Sequence, residues 1–337
     1  MMLIRAAVES DLNALYRLAQ LPSSGLTSLP PEPERLKQKI QQSITSFHKQ
    51  VLKPDDEEYL FVLEDCTSGE IIGCSGLVAQ VGRRAPFYTY RVTDLVQQNQ
   101  TLGIQKSHKL LFLVNDLHGC SELVSLFLRR DQRRQALGKL LSLSRFLFMA
   151  HWPERFAETV IAELRGISDS NGCSPFWEYV GAHFFGIGFP QADYLSGLGD
   201  SFFISDLMPK YPIYLDLLPK QAQSVVGKPH QGTVPAFNLL QEQGFRFTQY
   251  VDVFDAGPTL IARRELIKGI KDNQLTTVKE IKEINEQAHY LVGTCNLNFR
   301  AAIAAVEFAE QGINLSKEVA LGLQIEPGDK VRILKLS

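Results

Sequence analysis

The chain has 337 residues, 45% apolar and 21% charged, with a net charge of −2. That composition excludes a disordered or fibrous chain, and the length suits two domains. The near-neutral balance gives no field for nucleic acid or an anionic membrane, and no apolar run approaches the roughly 20 residues that span a bilayer.

Residues 3–7 read as a short strand, and Ser10 or Asp11 can cap a helix in which Leu12, Leu15, Tyr16 and Ala19 recur at helical spacing. The chain enters this pattern without a signal-peptide layout, so a cytoplasmic protein is expected. A Ser/Pro-rich connection over 22–33 leads to a polar helix near 34–49. Two strands, 59–64 and 71–78, are joined by a turn containing Asp65, Ser68 and Gly69. The polar region 82–119 is expected to hold a helix near 93–98 and a strand near 109–114. Residues 122–128 form an almost continuously apolar strand. The loop 129–138 leads from it into a helix over 139–151, apolar on more than one face and therefore buried. A strand over 159–167 and a helix over 175–185, with Pro175 in its first turn, come next. Beyond 186 the pattern partly repeats: strand 201–206, helix 235–243, strand 245–254, a charge-rich helix over 265–286, and strands near 291–300 and 331–336. This interleaving predicts an α/β (α+β) protein with mixed central sheets flanked by helices, divided as 1–186 and 187–337.

The stretch Arg133-Arg134-Gln135-Ala136-Leu137-Gly138 carries the first chemical signal. Small residues at Ala136 and Gly138 let the backbone approach a ligand. The unpaired N–H groups of the first helical turn, with the positive end of the helix dipole, suit an anion, and Arg133 and Arg134 add charge. The spacing is neither a Walker loop nor a dinucleotide fingerprint. It resembles the Arg/Gln-x-x-Gly-x-Gly/Ala loop of the GNAT acyltransferase superfamily, with Ala136 in the first glycine place. That resemblance implies a loop cradling the pyrophosphate of coenzyme A. The later Phe237-Asn238-Leu239-Leu240-Gln241-Glu242-Gln243-Gly244-Phe245 echoes the ending of such domains, so two GNAT-like domains in tandem are expected.

Six further blocks are more specific: Gly25-Leu26-Thr27-Ser28-Leu29-Pro30, Ser121-Glu122-Leu123, Ser125-Leu126-Phe127-Leu128, Ser174-Pro175-Phe176-Trp177, Leu207-Met208-Pro209-Lys210 and Phe254-Asp255-Ala256-Gly257-Pro258-Thr259-Leu260. In this order they resemble the arginine N-succinyltransferase family over residues 1–262. The resemblance implies transfer of succinyl from succinyl-CoA, a co-substrate rather than a resident cofactor, to the α-amine of L-arginine in arginine catabolism. The family's histidine proton donor falls on His230, and its succinyl-CoA contact on Leu126. The chemistry has a use for His230: a histidine titrating near neutrality can protonate the departing thiolate. Ala136 and Ala256 stand where the family pattern has glycine.

The substrates set two further needs. The succinyl carboxylate wants an arginine, and the guanidinium wants carboxylates. Alternation over 160–165 puts Glu163 and Arg165 on one strand face, where they could meet both substrates or simply each other. Arg91 is another candidate for the carboxylate, and Glu122, Asp252 and Asp255 for the guanidinium. Asp255, before Ala256-Gly257-Pro258, is equally suited to a turn.

The five scattered cysteines read as reduced thiols, and the seven histidines lack metal-ligand spacing, so no metal is expected. One coenzyme site per chain is expected, with His230 supplied by the second half and a homo-oligomer or pairing with a similar subunit. Two alternatives stay open: an acyltransferase acting on ornithine or another amino acid, and a non-catalytic acyl-CoA-binding subunit of a hetero-oligomer.

Overall fold

Strands and helices interleave in the computed structural model, which describes residues 1–21, 28–133, 135–169, 172–197, 202–285 and 288–336. The chain forms two units. The first comprises Met1–Gln80, Leu123–Glu158 and Arg263–Ser337, the second Val81–Glu122 and Thr159–Ala262. The expected boundary near residue 186 therefore falls inside the second unit. Among the described residues, no helix is long and apolar enough to cross a membrane.

In the first unit, Met2–Ala6 pairs antiparallel with Glu58–Asp65 on one side and Arg300–Ala305 on the other, and Glu58–Asp65 pairs with Glu70–Val78. The apolar runs in these strands bury Tyr59 to Leu63 completely. The helix Gln135–His151 is buried on several faces, as its all-round apolar pattern predicts, with Leu141, Phe146, Phe148 and Met149 inaccessible. Its Phe148 meets Phe47, Tyr59, Phe61, Phe156 and Phe299 in an aromatic core. Edge-to-face rings of this kind add about 0.5–1.5 kcal/mol per pair beyond area burial. The helix that follows the basic loop is thus anchored along its length.

The second unit has a mixed sheet. Ser121 and Glu122 pair in parallel with Val160 and Ile161, while Pro258–Arg263 pairs antiparallel with Arg246–Val251, and Thr89–Asn99 with Ile104–Val114. Its core gathers Tyr90, Phe176, Trp177, Met208 and Phe254. Trp177 stacks on Phe185 and Phe254 at 5.2 and 5.5 Å, and its indole N–H donates to the Ile187 carbonyl. The expected helix over 175–185 is two short ones, Pro175–Tyr179 and Gly181–Phe185. Only glycine fits at Gly181, because a Cβ there would lie 2.2 Å from the Trp177 ring.

Four further expected elements differ. The strand near 291–300 is two antiparallel strands, His289–Thr294 and Arg300–Ala305. The helix near 93–98 is instead part of the strand Thr89–Asn99, in a long hairpin exposed on both faces near its tip. Beyond Val92 the strand buries no face, so residues 93–98 leave no alternation to read. The charge-rich helix over 265–286 is a turn at Arg264–Leu266, a short helix Lys268–Lys271 and a strand Gln274–Ile281 that buries only Val278. Its charged residues are outward strand positions that mimic helical charge pairs. The strand over 201–206 is a helix, Phe202–Leu207.

Candidate active site

The basic loop expected to bind an anion lies in the first unit. After the strand Ser121–Leu128 the chain makes a single turn at Arg130–Gln132 and enters the helix at Gln135. Arg129 is committed within the protein, to Asp131 at 2.6 Å and to Glu70. Arg133 is exposed and pairs with no carboxylate among the described residues. Arg134 lies outside them. Ala136 is exposed, and a Cβ on Gly138 would meet nothing within 4 Å. Protein packing therefore does not require the glycine, although it costs helix stability. Both small residues leave the first-turn backbone open to an approaching group.

Leu126 is half-buried in the strand, next to a feature the sequence does not announce. Ser125 has φ 54°, the left-handed region, which costs a non-glycine residue roughly 1–2 kcal/mol. Its N–H donates to the Ser28 hydroxyl rather than along a strand, and its carbonyl accepts the Cys74 thiol. A residue in this conformation breaks the ladder beside Leu126. It also joins two of the blocks that carry the family resemblance.

The second unit holds the titratable cluster. Glu163, at the end of the strand Thr159–Glu163, accepts the Thr259 hydroxyl at 3.4 Å through one oxygen. Burial, then the neighbouring Asp252, Glu122 and Asp255, hold its carboxyl well above the ordinary range. Burial, then Asp255, pushes Asp252 up to about 8. One Asp252 oxygen accepts the N–H groups of Phe254 and Asp255. The other Asp252 oxygen, like the second Glu163 oxygen, accepts no hydrogen bond among the described residues. Two half-buried carboxyls with an unfilled oxygen each, Asp252 near enough to raise Glu163, can receive a cation.

Asp255 differs. It is buried, with one oxygen accepting the Gly257 N–H and the other the Gly166 N–H, both at 2.8 Å, and the latter oxygen lies 3.4 Å from Arg165 Nε. Burial raises its pKa, opposed by Arg165 and by these N–H groups. Asp255 is fully committed to the turn and to Arg165. Arg165 does not pair with Glu163. Its guanidinium forks onto Asp193 at 2.6 and 2.9 Å and lies 5.0 Å from the Phe189 ring centroid. Arg91 is half-exposed and bound to Asp116 at 2.8 Å, and Asp116 also accepts the Tyr250 hydroxyl. Glu122, half-buried, is near enough to Glu163 to raise it.

His230 is half-buried at the start of a turn, Gln231–Thr233. Its backbone N–H donates to the Arg165 carbonyl at 2.8 Å, and its Nδ1 accepts the Gly232 N–H at 3.0 Å. With Nδ1 an acceptor, the hydrogen-bond network assigns the neutral ring's proton to Nε2. Asp193 and the left-handed Ser125 were not legible in the sequence: neither belongs to a motif, and nothing local marks them.

Known proteins match throughout. A family model described as the arginine N-succinyltransferase beta subunit matches residues 2–269, and a model of that subunit's C-terminal domain matches 274–335. An arginine N-succinyltransferase of Yersinia pseudotuberculosis is 39% identical over 345 residues, covering 100% of this chain and 98% of the relative. In Pseudomonas aeruginosa, a relative named arginine N-succinyltransferase subunit beta is 40% identical over 337 residues with the same coverage. A solved structure from that organism, described as arginine/ornithine succinyltransferase subunit AI, superimposes with a TM-score of 0.91 at 39% identity, covering 100% of this chain and 99% of that one.

Proposed function

The chain belongs to the arginine N-succinyltransferase family of acyltransferases, and from that premise we propose that it transfers succinyl from succinyl-CoA to the α-amine of L-arginine, giving N2-succinyl-L-arginine and CoA. The observation that carries the reading within the chain is the pair Glu163 and Asp252, whose unfilled oxygens suit a guanidinium. The deprotonated amine attacks the thioester carbon directly; the C–N bond forms, the C–S bond breaks, and no covalent enzyme intermediate is needed. His230 relays the proton: its ring gives one to the departing sulfur and recovers one from the amine nitrogen, so the ring ends neutral and the products are the amide and the free thiol.

The loop at 133–138 holds the coenzyme pyrophosphate on its first-turn N–H groups, with Arg133 and Arg134 adding charge. Leu126, beside the interrupted ladder at Ser125, contacts the coenzyme through its backbone. Gly138→Ala is expected to stabilise the fold by up to about 1 kcal/mol, since alanine is the better helix former. The same change should weaken coenzyme A binding severalfold, because its methyl enters the space left for the ligand. Titration calorimetry with coenzyme A separates the two, and unchanged affinity would remove the loop from the site.

The test of the reaction is an amine panel. Purified protein with succinyl-CoA and L-arginine should release free thiol, and do so much more slowly with acetyl-CoA. Silence with every amino acid would overturn the enzymatic reading. Ornithine belongs in the panel as the second reading, favoured by the P. aeruginosa structure described as an arginine/ornithine enzyme. Two relatives in that organism are described as subunits, and we propose that this chain likewise assembles with itself or with a similar subunit.

A further inference from the structure

The geometry points to Arg165 as a positioning residue for His230, rather than a ligand of the succinyl carboxylate. The inference rests on the reading of His230 given above. Three backbone segments meet at Arg165 with almost no clearance. A Cβ on Gly166 would lie 2.4 Å from the Asp255 carbonyl oxygen, and one on Gly257 would lie 2.1 Å from that of Leu164. Gly166 also forms an antiparallel bridge with Pro229, directly before His230. The Arg165 carbonyl then accepts the His230 N–H at 2.8 Å and the Thr233 hydroxyl at 3.4 Å. The backbone of the histidine turn thus hangs on the carbonyl of one residue.

The side chain of that residue is held from three directions. Asp193 takes both terminal nitrogens, Asp255 lies at 3.4 Å from Nε, and Phe189 supplies a ring face. Phe189 and Asp193 stand four residues apart on the helix Phe189–Gly197, so one helix face provides both. Asp255 receives the Gly166 N–H on the same oxygen that faces Arg165. The guanidinium therefore locks the peptide that supports His230, and its donors are directed at protein carboxylates. Only the planar fork satisfies Asp193 on two atoms, which a lysine cannot do.

The test uses the full chain with Arg165→Lys and, as the milder change, Asp193→Asn. Each should lower kcat by about tenfold to a hundredfold, the cost of a small misplacement of a catalytic group. KM for succinyl-CoA, and its affinity relative to free CoA, should not move. Combined with His230→Ala, each should add little further loss, because both act through the same group. Selective loss of succinyl-CoA affinity relative to CoA would make Arg165 a ligand of the succinyl carboxylate and overturn the proposal. Losses that multiply in the His230→Ala background would overturn it equally. Full activity of His230→Ala alone is a different result: it removes the reading of His230 beneath the proposal, and the proposal with it.

Discussion

His230→Ala is expected to lower kcat by roughly 10²–10⁴-fold, the range for losing a positioned proton donor, while succinyl-CoA affinity stays nearly unchanged. The Gly232 N–H donates to Nδ1, which leaves Nε2 as the nitrogen that can hold a proton towards the departing sulfur. A donor at that point matters only as charge develops, so its loss should fall on turnover rather than on binding. His230→Gln keeps an N–H donor on a side chain of similar reach and should lose less. Steady-state kinetics with calorimetric binding reads both effects. Equal loss of binding and turnover would make His230 a structural residue of its turn.

The second large effect is expected at Glu163 and Asp252. Glu163→Gln or Asp252→Asn removes a charged acceptor of the guanidinium, worth about 1.5–3 kcal/mol, or roughly tenfold to a hundredfold in arginine affinity. The raised pKa values add a pH signature. With Asp252 pushed up to about 8, the guanidinium competes with a proton at neutrality. Arginine affinity should therefore climb as pH rises towards about 8, then level off. Stability should run the other way. The folded chain keeps a proton that an unfolded aspartate, with an ordinary pKa of 3.8, has already lost. That contribution is complete below about pH 4 and disappears as pH climbs through about 8. Thermal unfolding with and without arginine, at about pH 6 and 8.5, would show arginine stabilising more at the higher pH. A KM for arginine that is flat over this window would sink the assignment.

Much of this molecule is legible in the chain. The apolar strand, basic loop and all-round apolar helix over 122–151 announce themselves, because strand and helix burial leave local periodicities. The resemblance blocks belong largely to cores and turns. Trp177 stacks on Phe254, Met208 receives the Tyr90 hydroxyl, and Ser28 binds Ser125. They identify a family through its packing. Even Ala256, a departure from the family's glycine, falls at φ 54°, where glycine is the unstrained choice. The sequence misled where strands are mostly exposed, beyond Val92 in Thr89–Asn99 and on either side of Val278 in Gln274–Ile281.

What the sequence determined by itself is therefore the family and the mixed sheets, and it singled out the basic loop at 133–138 and the histidine at 230 as candidates. The division of labour among the charged candidates was decided only by tertiary structure. Glu163 and Arg165 share a strand face and read as partners, yet Arg165 turns to Asp193, 28 residues on, and Asp255 turns to the N–H of Gly166, 89 residues away. Glu163 is left beside Asp252, whose charge adds to burial in raising it instead of neutralising it. Periodicity reports which face a side chain leaves the backbone from. Which distant group it meets there is set by the folding of the chain, and burial then turns that choice into charge, pKa and chemistry.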